Sequence, residues 1–259
     1  MTRAIILAAG QGTRLRPLTN NKPKCLVSLM GKPLIQHQIE VLNAAGINEI
    51  HIVTGYCHKQ LEHLGHGTSI NNRFEQTNMV ESLFSARAYF EDCEQDLLIC
   101  YGDIVYQKNN LDTLLDNEDE IGLMIDKSWR DLWALRLDDP LDDAETLLFN
   151  EYGYIRELGR KPTSYEQIQG QYTGLIKVRA DKINSFIKFY NALDRFAIYE
   201  GKDFNHMDMT TFLQSLIDSD WNVGAAIVNN GWLEVDSVDD LKCYEKMAQN
   251  GELDKFYKV

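Results

Sequence analysis

The chain is 259 residues long, with 26 Lys+Arg against 39 Asp+Glu, a formal net charge of −13 and 44% hydrophobic residues. Such a composition belongs to a folded chain and excludes intrinsic disorder. The acidic balance excludes broad binding to nucleic-acid phosphates, which needs clustered Lys and Arg, and no apolar run approaches the roughly 20 residues that cross a bilayer.

From the N-terminus, Arg3–Ala8 reads as a buried strand that runs through Ala9 into a loop punctuated by Gly10, Gly12 and Pro17. A short strand near Cys25–Leu29 leads through the turn Met30-Gly31-Lys32-Pro33 to a helix, whose apolar positions Leu34, Ile35, Ile39, Val41 and Leu42 precede a stop at Gly46. Glu49–Thr54 is the next strand, ending in Gly55, and a second helix is expected around His58–Leu64. Asn78–Phe90 reads as a helix and Asp96–Tyr101 as a strand ending in Gly102-Asp103. Near-continuous apolar strands of this kind belong in the middle of a covered parallel sheet. Beyond Asp126 the pattern is less regular. Trp129–Leu137 is a mixed segment, Glu145–Phe149 and Tyr154–Leu158 look like a hairpin, and Tyr172–Val178 is a further strand. Helices at Ala180–Leu193 and Met209–Ile217 precede the strands Val223–Val228 and Trp232–Val235, and a terminal helix begins near Ser237. There is no internal repeat or Ser/Gly linker, so one α/β domain with a smaller β-rich lobe is expected over 1–259. Its nucleotide-binding half covers about 1–126 and its acceptor-binding half about 127–259. No secretory pattern opens the chain, so a cytoplasmic protein is expected. The five scattered cysteines Cys25, Cys57, Cys93, Cys100 and Cys243 form no C-x-x-C pair and read as reduced thiols.

Charge is unevenly distributed. Residues 1–39 carry Arg3, Arg14, Arg16, Lys22, Lys24 and Lys32 and no acidic residue, which suggests a small anionic ligand held there. The loop Gly10-Gln11-Gly12-Thr13-Arg14-Leu15 follows the first strand, where open parallel sheets bind ligands. Glycines let the backbone approach phosphate oxygens, and Arg14 and Lys24 add full charges. The loop is neither a P-loop nor the dinucleotide fingerprint, since no G-x-x-x-x-G-K-[ST] occurs and Leu15 stands where a third small residue is needed. A tight surface turn with exposed basic residues is the alternative reading of the glycines alone. Asp103 and Asp236 both follow strands, so two converging carboxylates beside a triphosphate loop form a plausible Mg²⁺ site. Each also has an ordinary reading, as a turn residue or, for Asp236-Ser237, as the cap of the last helix.

The string A-A-G-x-G-T-R-L-x-P-L-T followed by Pro23-Lys24 resembles the signature of the sugar-nucleotidyltransferase family. That resemblance implies a Rossmann-like, mostly parallel mixed sheet flanked by helices. It assigns Leu7, Ala8, Ala9, Gly10, Gln11, Gly12 and Thr13 to the nucleotide cradle, and Arg14 and Lys24 to charge neutralisation. It also implies the metal role for Asp103 and Asp236, and it makes Lys161, in Arg160-Lys161-Pro162, the expected contact to the phosphate of the second substrate. Arg160 replaces the acidic residue of the family's E-K-P, which leaves that register open; a solvated surface lysine is the alternative.

The segments Gln76–Leu83, Pro140–Leu147 and Glu234–Ser237 are most similar to bacterial cytidylyltransferases that activate choline phosphate, aminoethylphosphonate or phosphoglutamine for capsule or surface-polysaccharide assembly. The resemblance thus implies CTP, with Gly55, Tyr56, Gln76, Asn78 and Ser82 near the base; Asn78 or Ser82 could equally cap a helix. For the acceptor it implies Lys127, Trp129, Lys161, Gln171, Tyr172, Asp208 and Trp232, which with Trp133, Asp142 and Asp143 would suit a zwitterion. Burial in the core is the competing reading of the aromatic residues. The expected reaction moves CMP from CTP to a small phosphorylated or phosphonate acceptor and releases pyrophosphate. Its rivals are a hexose-1-phosphate nucleotidyltransferase using UTP, dTTP or GTP, a non-catalytic nucleotide-sensing subunit and, more weakly, a dinucleotide oxidoreductase. A homo-oligomer is compatible with the acidic surface.

Overall fold

The computed structural model describes residues 1–258. Its main sheet has seven strands in the order Val223–Val228, Ile121–Asp126, Gln171–Val178, Asp96–Tyr101, Thr2–Ala8, Ile50–Thr54, Gly67–Ile70. Only Gln171–Val178 runs antiparallel to its neighbours; the other pairs are parallel. Alternate residues of the central strands face opposite cores, which is why their sequences are apolar throughout rather than every second residue. Ala4, Ile6, Leu98, Cys100 and Met124 face a core closed by the helices Leu34–Ala44, Lys108–Leu115, Trp129–Arg136 and Val238–Asn250. Ile5, Leu7, Leu97, Ile99 and Ile125 face a second core closed by Met79–Ser85, Ile183–Ala192 and Met209–Ile217.

The mixed, largely parallel α/β expectation therefore holds, with local differences. The second half of the chain does not stand apart from the sheet: it supplies Gln171–Val178 and Val223–Val228 to it, while Leu147–Phe149 pairs with Ile155–Leu158 as the expected hairpin. His58–Leu64 is a 3₁₀ helix, bounded by Cys57 at φ 51° and Gly65 at φ 73°. The Asn78–Phe90 helix is broken at Ala86 into Met79–Ser85 and Arg87–Phe90. Ile121–Asp126, Gly67–Ile70 and Ile104–Tyr106 are strands the sequence reading did not single out, and Lys108–Leu115 is an additional helix.

Six strands end at one edge of the sheet, and the reversed strand begins there, with Gln171 beside Asp126. Ala9, Gly55 and Asp103 emerge at this edge. The close approach needs glycine: a Cβ on Gly102 would lie 2.4 Å from Leu7 O, a backbone atom that cannot swing away. Gly102→Ala is therefore expected to lower stability by about 1–3 kcal/mol, as overpacking does. Gly10→Ala, with nothing within 4 Å of the added Cβ, is expected to stay within about 0.5 kcal/mol. Urea denaturation of the two variants measures both.

Candidate active site

Gly12 sits in the left-handed region at φ 63°, and its carbonyl accepts from Thr19 Oγ1 at 2.7 Å. The turn clears a path for Lys24, whose Cβ and Cγ would each be 2.9 Å from a Cβ at Gly12. The lysine side chain then reaches the sheet edge, where its Nζ donates to Asp103 Oδ2 and Asp236 Oδ1, both at 2.7 Å. Arg14 pairs with the other oxygen of Asp236.

The two aspartates meet because Ile104–Tyr106 pairs antiparallel with Trp232–Glu234, aligning Ile104 with Glu234. The Val235 N–H extends that ladder to Asp103 O at 3.0 Å. Burial disfavours the Lys24 charge, yet Asp103, Asp236 and Glu234 outweigh it and hold the ammonium pKa above its ordinary value. Asp103 Oδ1 is buried with no hydrogen-bond partner. Among the described residues no group of three or more His, Cys, Asp or Glu side chains is clustered as a metal site.

Beside this pair lies a cavity of about 290 Å³ lined by the first strand's end and the glycine loop. Of the residues expected at the nucleotide, Leu7, Ala8, Ala9, Gly10, Gly12, Thr13, Arg14, Lys24, Asn78, Ser82 and Asp103 line it. The other four do not. Gln11 turns outward to Glu75 Oε1 at 3.2 Å, and Gln76 is exposed. The Tyr56 hydroxyl donates to Asn20 O, and Gly55 backs Ala9, whose carbonyl would be 2.8 Å from a Cβ on Gly55. Asn78 realises both of its readings: it accepts from the Met79 N–H at 2.8 Å as a helix cap, and it faces the cavity. Phe74 and Thr77, in a loop where the sequence offers no spacing signal, and Met79, the first residue of its helix, also line the cavity.

A second cavity, of about 210 Å³, adjoins the first and shares Arg14, Met79 and Asp236 with it. Gln171, Tyr172, Asp208 and Trp232 line it as expected. Trp232 presents its ring while its Nε1 donates to the buried Asp126 at 2.9 Å. Asp208 accepts from Asn78 Nδ2 at 2.7 Å and so ties the two cavities together. Lys127, Trp129 and Lys161 lie outside. Lys127 is exposed, with its Nζ 6.0 Å from the Phe149 ring centre. Trp129 is buried in the core, edge-on to Trp133 at 5.8 Å. Lys161 is exposed and donates to the carbonyls of Leu141, at 2.6 Å, and Asp142, so it clamps a turn rather than facing ligand space.

Trp133, Asp143, Glu145 and Glu234 are among the other residues that line it. Glu145 and Glu234 carried no signal of their own in the sequence beyond their place in segments that resemble the family. Glu145 is the more revealing: burial first, then the charges of Asp208, Asp143 and Glu234, raise its pKa to about 7. No salt-bridge partner faces it among the described residues.

A family profile described as nucleotidyl transferase matches residues 3–127. Over 247 residues the chain is 42% identical to the CTP:phosphoglutamine cytidylyltransferase of Campylobacter jejuni, covering 92% of this chain and 97% of that one. Among solved structures it is similar to an inositol-1-phosphate CTP transferase from T. maritima, with a TM-score of 0.71, 25% identity and coverage of 99% and 98%. The CTP:phosphocholine cytidylyltransferase of Streptococcus pneumoniae shares the fold, with a TM-score of 0.69 at 22% identity and coverage of 95% and 99%.

The state of Glu145 has a consequence for stability. Its carboxyl titrates near 4.5 when unfolded and near 7 in the native protein. Between those values the native state holds a proton that the unfolded state releases, so stability falls as pH rises from about 4.5 to 7. Glu145→Gln is expected to remove this fall, leaving the variant more stable relative to wild type at pH 8 than at pH 4.5 by about 3 kcal/mol. Urea titrations at the two pH values measure it.

Proposed function

The chain belongs to the nucleotidyl transferase family, and from that footing we propose that it is a cytidylyltransferase moving CMP from CTP to a small phosphorylated or phosphonate metabolite. The observation that carries this reading is the junction of two cavities at Arg14 and Asp236, with Lys24 held between Asp103 and Asp236 at their meeting point. One cavity is framed by backbone and cations and suits a triphosphate. The other is framed by Asp143, Glu145, Asp208 and Glu234 and suits a ligand that brings its own positive charge. An acceptor of the phosphocholine, phosphoglutamine or aminoethylphosphonate type combines that charge with an anionic phosphorus group.

In the transfer, an acceptor phosphate or phosphonate oxygen attacks the α-phosphorus of CTP. The bond from that phosphorus to the oxygen bridging to the β-phosphate breaks, and the electron pair leaves with pyrophosphate. The attacking oxygen is already ionised at neutral pH, so no side chain has to remove a proton. What the chain supplies is alignment and charge. The glycine loop offers N–H groups to the triphosphate, and Lys24 exchanges its carboxylates for phosphate. Arg14, common to both cavities, meets the incoming acceptor phosphate where Lys161 lies too far outside. The unpartnered Asp103 Oδ1 and the adjacent Asp236 fit a magnesium ion, which takes one or two carboxylates together with phosphate oxygens and water. Such an ion would neutralise charge on the triphosphate and the departing pyrophosphate. A soluble CTP pool implies a cytoplasmic reaction, and the product would serve capsule or surface-polysaccharide assembly.

The test crosses CTP, UTP, dTTP and GTP with phosphocholine, phosphoglutamine, aminoethylphosphonate and glucose-1-phosphate, reading pyrophosphate release at saturating Mg²⁺. CTP with an ammonium-bearing acceptor is expected to be fastest, and Asp103→Asn to slow that pair by about 100-fold or more, as loss of a charge-stabilising group does. Fastest turnover of glucose-1-phosphate with UTP or dTTP would overturn the acceptor and base assignments. Tight nucleotide binding with no pyrophosphate from any pair would overturn catalysis itself.

A further inference from the structure

Arg136 ends the helix Trp129–Arg136 and is buried, its side chain 5% exposed, although it lines neither cavity. Its Nη1 donates to Glu234 Oε2 at 2.9 Å and its Nε to Asp240 Oδ1 at 3.1 Å. The second Asp240 oxygen, Oδ2, accepts from the backbone N–H of Asp236 at 3.1 Å and of Ser237 at 2.8 Å. Ser237 Oγ accepts in turn from the Asp240 N–H at 3.1 Å, which closes a capping box at the start of the last helix. One guanidinium therefore holds both flanks of Asp236. It fixes Glu234 two residues before it and, through Asp240, the Asp236 amide itself.

A capping box needs no arginine. Burying a guanidinium is costly unless its partners are fixed by it, and here the fixed partners are the two carboxylates that frame the residue facing Lys24. We propose that Arg136 and Asp240 are positioning residues that set the backbone and carboxylate orientation of Asp236 for the metal and triphosphate. Arg136 also neutralises Glu234, whose charge otherwise adds to those of Asp103 and Asp236 around Lys24. The proposal rests on the reading of Asp236 as a metal ligand. Outer partners of this kind are commonly worth as much to a metal site as the ligands they orient.

A binding measurement tests it without turnover. CTP is titrated calorimetrically, with no acceptor, over a series of Mg²⁺ concentrations into wild type, Arg136→Gln, Asp236→Asn and the double variant. Arg136→Gln is expected to raise the Mg²⁺ concentration needed for half-maximal CTP binding about tenfold when Asp236 is present. In the Asp236→Asn background it is expected to change that concentration by less than about twofold, because residues acting through one another are non-additive. Arg136→Lys keeps the charge but not the fork and is expected to give a smaller shift with the same dependence on Asp236. That variant carries the test if Arg136→Gln fails to fold. An equal shift in both backgrounds, or a lowered melting temperature with an unchanged Mg²⁺ requirement, would overturn the positioning role. An Asp236→Asn variant with the wild-type Mg²⁺ requirement would overturn the metal reading on which it rests.

Discussion

One ammonium group between two carboxylates organises this protein's working edge. Asp103 and Asp236 are largely buried, and both reach one ammonium group whose charge offsets theirs. Lys24 is that cation, 2.7 Å from each. Its ammonium pKa is raised, so this contribution to stability is complete below about pH 10.5 and is lost only as pH climbs above that value. The arrangement is thus insensitive to pH across the neutral range. In the proposed reaction it responds instead to competing charge, a triphosphate for Lys24 and a divalent ion for the carboxylates.

Everything near that triad serves to bring three distant segments to it. The glycine loop delivers Lys24 past Gly12, Gly102 lets Asp103 pass beneath Leu7 O, and a three-residue ladder draws Asp236 alongside. In the proposed reaction the reversed strand Gln171–Val178 serves the acceptor as the parallel strands serve the nucleotide. It starts at the same edge and so sets Gln171 and Tyr172 beside the carboxylates. The uneven charge of the chain acquires a spatial meaning. Of the basic residues in the first 39 positions, Arg14 and Lys24 border the first cavity together with Asp103 and Asp236, while Asp143, Glu145, Asp208 and Glu234 from the second half border its neighbour.

The glycine loop was legible because an apolar strand runs straight into Gly-x-Gly, its basic residues stand in a segment with no acid, and the longer string through Pro23-Lys24 matches a family signature where the glycines alone leave a surface turn open. The positions of Asp103 and Asp236 after strands were legible for the same reason. Their convergence was expected from the two strand ends, but the pairing that brings it about was not legible, because Ile104–Tyr106 is too short to show a period and its partner lies half the chain away. Gly55, Tyr56, Gln11 and Gln76 brace the cradle from behind or face outward, and side-chain direction in irregular loops leaves no periodic trace. The Lys161 expectation came from a motif, and a motif does not carry the local partners that the side chain meets, here the carbonyls of Leu141 and Asp142. Glu145 is the converse case, a buried acid whose unusual pKa appears only once Asp143, Asp208 and Glu234 are seen around it.

The most direct measurement is a crystal structure with CTP and Mn²⁺, the ion located by its anomalous scattering. The expected result is a manganese ion touching Asp103, Asp236 and a phosphate oxygen, with the Lys24 ammonium moved off the carboxylates onto the triphosphate. A manganese ion held by phosphate alone, with Lys24 still bridging the two aspartates, would contradict it.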